Sequence, residues 1–181
     1  MMMHETTKSP FVKKKSIEIL PQMYKYISNY GLFSDSQLTK ALNAIFNFLA
    51  SSGKKEKEVN KDRGQGFIAL GKMSLIVPKH KFMKYITKIF EAIKAELDAA
   101  KPKVAMKDKV QVFTPALEVL TCVKLMFKYY GDEFRAYFDA LQDYDMVTFT
   151  NDLFYFGFNK NLIETLTELS KICKSKYKGI T

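Results

Sequence analysis

Apolar residues along this chain recur mainly at helical spacing. Between Arg63 and Leu97 (RGQGFIALGKMSLIVPKHKFMKYITKIFEAIKAEL) two amphipathic segments flank a turn at Val77-Pro78-Lys79-His80. In the second segment Phe82, Ile86, Ile89, Ile93 and Leu97 step by four, three, four and four, a single stripe on a 3.6-residue period. In the first, Phe67, Leu70, Met73, Leu75, Ile76 and Val77, with Ala69 among them, cover a wider surface, which predicts a helix covered on more than one side. Pro78 has no N–H and disfavours α geometry at Val77, so it ends the first helix and permits the turn. A hairpin of this kind cannot bury both faces alone and needs neighbours of the same type.

The remaining pattern supplies them. Ser9 and Pro10 form a helix start, followed by Val12, Ser16, Ile19, Leu20, Met23 and Ile27 on one face, with Pro21 expected to kink the helix and Gly31 to end it. Ser34 or Asp35 caps a helix near 35–51 with the stripe Leu38, Leu42, Ile45 and Leu49. A helix from about Lys109 to Tyr130 carries Phe113, Leu117, Leu120, Val123 and Phe127, and Gly131-Asp132 gives a stop and a new cap. A shorter helix holds Phe134, Tyr137, Phe138 and Leu141. Another near 148–157 holds Phe149, Leu153, Phe154 and Phe156, and the last, near 161–176, holds Leu162, Leu166, Leu169 and Cys173. No stretch alternates with period two for long, so no sheet is expected.

These helices pair as 10–52, 60–100, 109–142 and 148–176, with 1–8 a frayed N-terminus and 177–181 a tail. The pairs start roughly 40 to 50 residues apart, near the roughly 40 to 47 residues of a HEAT or armadillo unit. The expected fold is therefore all-α, a HEAT/armadillo-like α-solenoid of about four antiparallel helix pairs, with apolar surface exposed at both ends of the stack.

Composition narrows this modestly. The 181 residues, 47% hydrophobic with 15 Phe, suffice for one core, and eight Gly and five Pro exclude a low-complexity linker. The first residues, Met1 to Thr7, lack the apolar run of a signal peptide, and no run is long enough to span a bilayer. Two cysteines make no disulfide framework, which suits a reducing, cytoplasmic setting. The net charge of +10 suits an acidic partner, yet the lysines are spread over the whole chain, as they are where they simply solvate helix faces. One cluster is more specific. Lys54, Lys55, Lys57, Lys101, Lys103, Lys107 and Lys109 fall in two inter-helix loops that share one edge in a solenoid, a candidate basic ridge.

Candidate chemistry is thin. Gly66-Phe67-Ile68-Ala69-Leu70-Gly71-Lys72 approaches a phosphate-binding loop, but Met73 stands where that motif needs Ser or Thr, and the intervening residues belong to a core. Close helix contact explains its glycines better. His4 and His80 are isolated, Cys122 and Cys173 lie on helix stripes, and Glu91 with Glu96 reads as helix surface. Tyr129-Tyr130 and Phe154-Tyr155-Phe156 could stack on bases, though packing accounts for them more simply. No cofactor, metal or small-molecule substrate is expected.

At residues 54–97 the chain resembles the N-terminal HEAT-repeat region of target-of-rapamycin (TOR) kinases, Ser/Thr kinases of the phosphatidylinositol 3-kinase-related family. The matching residues are Lys54-Lys55-Glu56-Lys57-Glu58, Phe67-Ile68-Ala69-Leu70-Gly71, Ser74, Val77, Lys81-Phe82, Tyr85-Ile86 and Ile89-Phe90. The likeness extends upstream through Lys15 to Pro21 and downstream to Val112-Phe113-Thr114, Gly131 and the helices near 134–172. It departs by extra residues around Val59 to Asp62 and by a more basic surface. The resemblance implies a non-catalytic scaffold fragment of a TOR-like kinase acting in nutrient and growth signalling, the kinase domain lying elsewhere. It further implies contacts with a raptor-like subunit, a small GTPase or the parent kinase dimer, in the cytoplasm or at an endomembrane surface through the parent complex. A stand-alone HEAT/armadillo adaptor and a basic nucleic-acid-binding helical protein are the alternatives.

Overall fold

The computed structural model describes residues 9–31, 34–51, 59–100, 116–139, 146–154 and 159–175. All regular structure among them is helical: α1 (Pro10–Asn29), α2 (Asp35–Ser51), α3 (Val59–Ile76), α4 (Lys79–Phe82), α5 (Ile86–Ala100), α6 (Glu118–Tyr130), α7 (Asp132–Asp139), α8 (Met146–Leu153) and α9 (Lys160–Ser175). A 3-10 turn at Met83–Tyr85 joins α4 to α5 with the backbone still in the right-handed helical region, so 79–100 forms one continuous rod.

Local chemistry sets the ends. Ser34 and Gln37 cap α2 reciprocally: the Gln37 N–H donates to Ser34 Oγ at 3.3 Å, and the Ser34 N–H to Gln37 Oε1 at 2.8 Å. Gly31 and Gly131 stop α1 and α6 at φ of 67° and 48°, a region that costs other residues a steric penalty. Pro78 ends α3 as expected and leaves a consequence in the core. A residue at that place in a longer helix would donate its N–H to the Ser74 carbonyl. Pro78 has none, and the hydroxyl of Tyr130, from α6, donates to that carbonyl instead at 3.1 Å.

The closest backbone approaches run along one series of helices, α1 to α3, α3 to α6 and α6 to α9. Small residues permit this. A Cβ on Gly71 would stand 3.0 Å from the Cys122 Cα, and one on Gly64 would collide with the Glu118 carboxyl. On another side of α3, a Cβ on Gly66 would stand 2.6 Å from Leu49 of α2. α3 is thus contacted by α1, α2 and α6, which explains its wide apolar surface, with Lys72 and Leu75 left exposed. The other helices are joined by large rings. Phe90 of α5 lies 5.5, 5.2 and 5.6 Å from Phe134, Tyr137 and Phe149, and Phe127 of α6 packs edge-on to Phe134 and Phe149. Each such ring pair adds about 0.5–1.5 kcal/mol beyond its buried area.

Four expectations are corrected. α1 buries Ile17, Pro21 and Tyr24, while Val12, Ile19 and Met23 of the expected stripe are exposed. The helix has apolar residues on two faces, and α3 covers only one. Leu117 is exposed beside buried Ala116 and Val119, because it stands at the N-cap and outside the rotation of α6. Phe154, placed on the stripe of the seventh helix, is exposed because α8 ends at Leu153. Leu75, counted in the wide apolar surface of α3, is exposed as well. The helix that continues the close series past α6 is α9, while the short α8 sits against α7. Thr165 of α9 makes that approach possible, its hydroxyl lying 3.1 Å from the Leu120 carbonyl.

Two variants test this packing. Gly71→Leu drives a side chain into the α6 backbone and is expected to cost about 1–3 kcal/mol or more by chemical denaturation, whereas Lys72→Ala on the exposed side stays within about 0.5 kcal/mol. Tyr130→Phe keeps the ring but orphans the Ser74 carbonyl, and its urea midpoint is expected to fall by the equivalent of about 1–3 kcal/mol.

Candidate interaction surface

The expected basic ridge cannot be placed: Lys54, Lys55, Lys57, Lys101, Lys103, Lys107 and Lys109 all lie outside the described residues. His4, Tyr155 and Phe156 lie outside them too, as does the side chain of Cys173.

Other candidates are placed clearly, and most are taken up in packing, while His80 and Tyr129 are exposed. The loop-like stretch Gly66 to Lys72 is the middle of α3, with Gly66, Phe67, Ala69, Leu70 and Gly71 buried, so it presents no row of free amides to a phosphate. The Cys122 thiol is fully buried beside Met126, and burial pushes its pKa up to about 12. A thiol held protonated in this way is a poor nucleophile at neutral pH. Tyr130 is buried with its ring stacked on Phe82 at 5.7 Å, and burial also raises the pKa of its phenol. Tyr129 is exposed, and the Lys79 ammonium sits 5.1 Å from its ring centroid. Among the described residues no three His, Cys, Asp or Glu side chains gather as metal ligands. No helix there is long and apolar enough to cross a membrane.

Sequence reasoning missed the buried acids Glu96 and Asp152. Glu96, read as helix surface, is wholly buried. Its Oε1 accepts the Ala116 N–H at 3.1 Å, and its Oε2 lies 3.0 Å from Nη2 of Arg63, which is itself mostly buried. The pair ties α3 to α5 and holds the backbone leading into α6. Arg63 Nε is buried without a hydrogen-bond acceptor among the described residues, so the arrangement is costly as well as cohesive. The signal was present in the spacing: Glu96 follows Ile93 by three and Ile89 by seven, inside the apolar stripe.

Lysines mark the outer surface. Lys81 pairs with Asp35, Lys14 with Asp62, Lys79 with Glu133 and Lys124 with Glu164. Lys88 lies over the Phe46 ring, 4.6 Å from its centroid. The hydrogen bond and charge of Lys81 lower the Asp35 pKa, and Asp35 in turn raises that of Lys81. No family model, no curated protein and no solved structure matches the chain.

Two outcomes follow. Glu96→Leu alone strands Arg63 and is expected to lose about 3–5 kcal/mol of stability, while Glu96→Leu with Arg63→Met recovers most of that loss; denaturant titration of the full cycle measures the coupling. The Asp35 carboxyl is expected to titrate below the ordinary aspartate value by NMR and to rise toward it in Lys81→Met. Because the folded pKa is the lower one, the pair's contribution to stability is present above the unfolded value and lost as pH falls through the folded one.

Proposed function

We propose that this chain is a non-catalytic helical-repeat scaffold, a stretch of HEAT-type solenoid whose outer faces bind other proteins. The observation that carries the reading is where the buried polar groups go. Glu96, Ser74, Thr165 and Tyr130 each tie one helix to the next or close a backbone carbonyl. Of these, Glu96, Tyr130 and Thr165 reach from one helix to another while Ser74 bonds within α3, and we read the open-ended series α1, α3, α6 and α9 as the neighbour-to-neighbour arrangement of a repeat array. In such an array stability comes from adjacent contacts, and the long flanks are free to recruit partners.

The ordered likeness to the HEAT region of TOR kinases supports a narrower form of the proposal. The chain would be one segment of a TOR-like Ser/Thr kinase, contributing to complex assembly through a raptor-like subunit, a small GTPase or the parent dimer. Catalysis would belong to the kinase domain of that parent. Two features favour this form: the run Phe67-Ile68-Ala69-Leu70-Gly71 on the helix that α1, α2 and α6 surround, and the short helices α7 and α8 of the third and fourth units.

The test is to tag the gene at its native locus, recover the product under mild conditions and identify what comes with it. A kinase-sized polypeptide containing this sequence, or stoichiometric association with one, is the expected result. Recovery of a 20.9 kDa chain bound to nucleic acid in a salt-sensitive way would overturn the proposal. The purified chain should give no phosphotransfer from ATP to a peptide substrate.

A further inference from the structure

The two ends of the helix series differ. The outward positions of α9 are Lys160, Ile163, Thr167, Ser170 and Lys171, polar apart from Ile163. The outward side of α1 is the reverse: Val12, Ile19, Met23, Tyr26 and the C-cap Tyr30 are exposed. At about 100° per residue these five and the half-buried Ser16 share one face of the helix. Ile17, Pro21 and Tyr24, which meet the core, lie on the other side.

Whatever covers this face must match its spacing. Positions 12, 16, 19, 23, 26 and 30 are separated by four, three, four, three and four. That is the a/d spacing of a helix-receiving seam, and it reads the same in both directions about position 21. Two copies of α1 packed antiparallel therefore set every seam residue against another. Val12 meets Tyr30 of the second copy, Ser16 meets Tyr26, and Ile19 meets Met23, so each tyrosine finds a smaller side chain. The rings of Tyr26 and Tyr30 pack together at 5.1 Å and present one block to that smaller pair. Pro21 stands at the midpoint of the seam but on the far side of the helix, and does not enter it.

Charge favours the same partner and the same direction. No charged residue lies within the seam. Lys13 and Lys15 flank it, one on each side, both in the first half of α1, while Lys14 and Lys25 point away from it. In the antiparallel pair Lys13 and Lys15 come beside the C-terminal end of the second copy's α1. That end has no basic residue in its last turn and is the negative end of the helix dipole. A parallel pair would instead set Lys13 of one copy against Lys15 of the other. An acidic helix finds less to bind here, because Lys15 is already held by Glu18 at 2.8 Å.

We propose that the outward face of α1 is a homodimer interface, two copies of the chain meeting through an antiparallel α1 pair about a two-fold axis near position 21. Such a contact is isologous, so it closes at two copies, covers the apolar end of both and joins two helix series end to end. The seam is small beside a permanent interface, so the dimer forms reversibly. The proposal goes beyond the scaffold reading, which holds for one copy or for two.

Sedimentation velocity of the full chain over a concentration series tests it. A monomer–dimer equilibrium with no larger species is expected. Ile19→Glu and Met23→Lys, each alone, are expected to weaken it at least about tenfold, and Thr167→Glu on α9 to leave it unchanged. Mixing the Ile19→Glu and Met23→Lys chains should restore most of the loss, because position 19 of one copy faces position 23 of the other. One contact then joins opposite charges and the second is native. The substituted residues are exposed, so circular dichroism should show unaltered helix content. A chain that stays monomeric at its highest soluble concentration overturns the proposal, whether or not the face takes up an acidic helical peptide or anionic phospholipid vesicles. So does self-association that survives both single variants, or lost association that mixing fails to restore. Each of these failures leaves the scaffold reading standing, since that reading is decided by what accompanies the native product.

Discussion

The approach of α3 to α6 at Gly71 and Cys122 is the constraint from which the rest of the packing follows. A glycine opposite a small thiol brings two helix backbones closer than larger side chains would allow. That closeness puts Tyr130 within reach of the carbonyl that Pro78 leaves open, and it puts Gly64 against Glu118. One helix thereby becomes the centre of the stack, with α1 and α2 on its other sides. Where helices are held further apart, rings fill the gap, and Phe90 alone reaches Phe134, Tyr137 and Phe149.

Polar groups inside this core do structural work at measurable cost. A buried Arg63–Glu96 pair offers less net stability than its geometry suggests, because desolvation offsets most of the attraction. What it gives is position. Glu96 accepts the amide of Ala116, at the point where the chain enters α6, and so fixes how α6 meets α3. Thr165 brings its hydroxyl within 3.1 Å of the Leu120 carbonyl of α6 while sharing its hydrogen with the Asn161 carbonyl of its own helix at 2.7 Å. These ties set the order and spacing of helices, which hydrophobic burial alone leaves loose.

A stack assembled this way leaves its flanks and ends available, and that is the physical basis for reading it as a scaffold. The charged surface is largely lysine, much of it occupied by local acids such as Asp35, Asp62, Glu133 and Glu164. Apolar surface was expected at both ends, but α9 turns a mostly polar face outward and α1 an apolar one. Exposed apolar surface on the outer helices is therefore greater at one end of the series.

The amino-acid pattern by itself determined the helical class, most helix boundaries and the residues of the central hairpin. Period and terminators act within a few residues and need no partner: Phe82, Ile86, Ile89, Ile93 and Leu97 are all buried as their spacing requires, and Pro78, Gly31 and Gly131 stop helices where they stand. The glycines of α3 were legible as contact points for the same reason. Periodicity identifies a face but not what covers it. Only the tertiary structure decided that α1 turns Ile17, Pro21 and Tyr24 inward rather than Ile19 and Met23, and that Glu96 is neutralised by a residue thirty-three positions away. It also decided that α9 rather than α8 follows α6. Those choices depend on which distant surfaces meet and on the charges they carry, and no local rule encodes that.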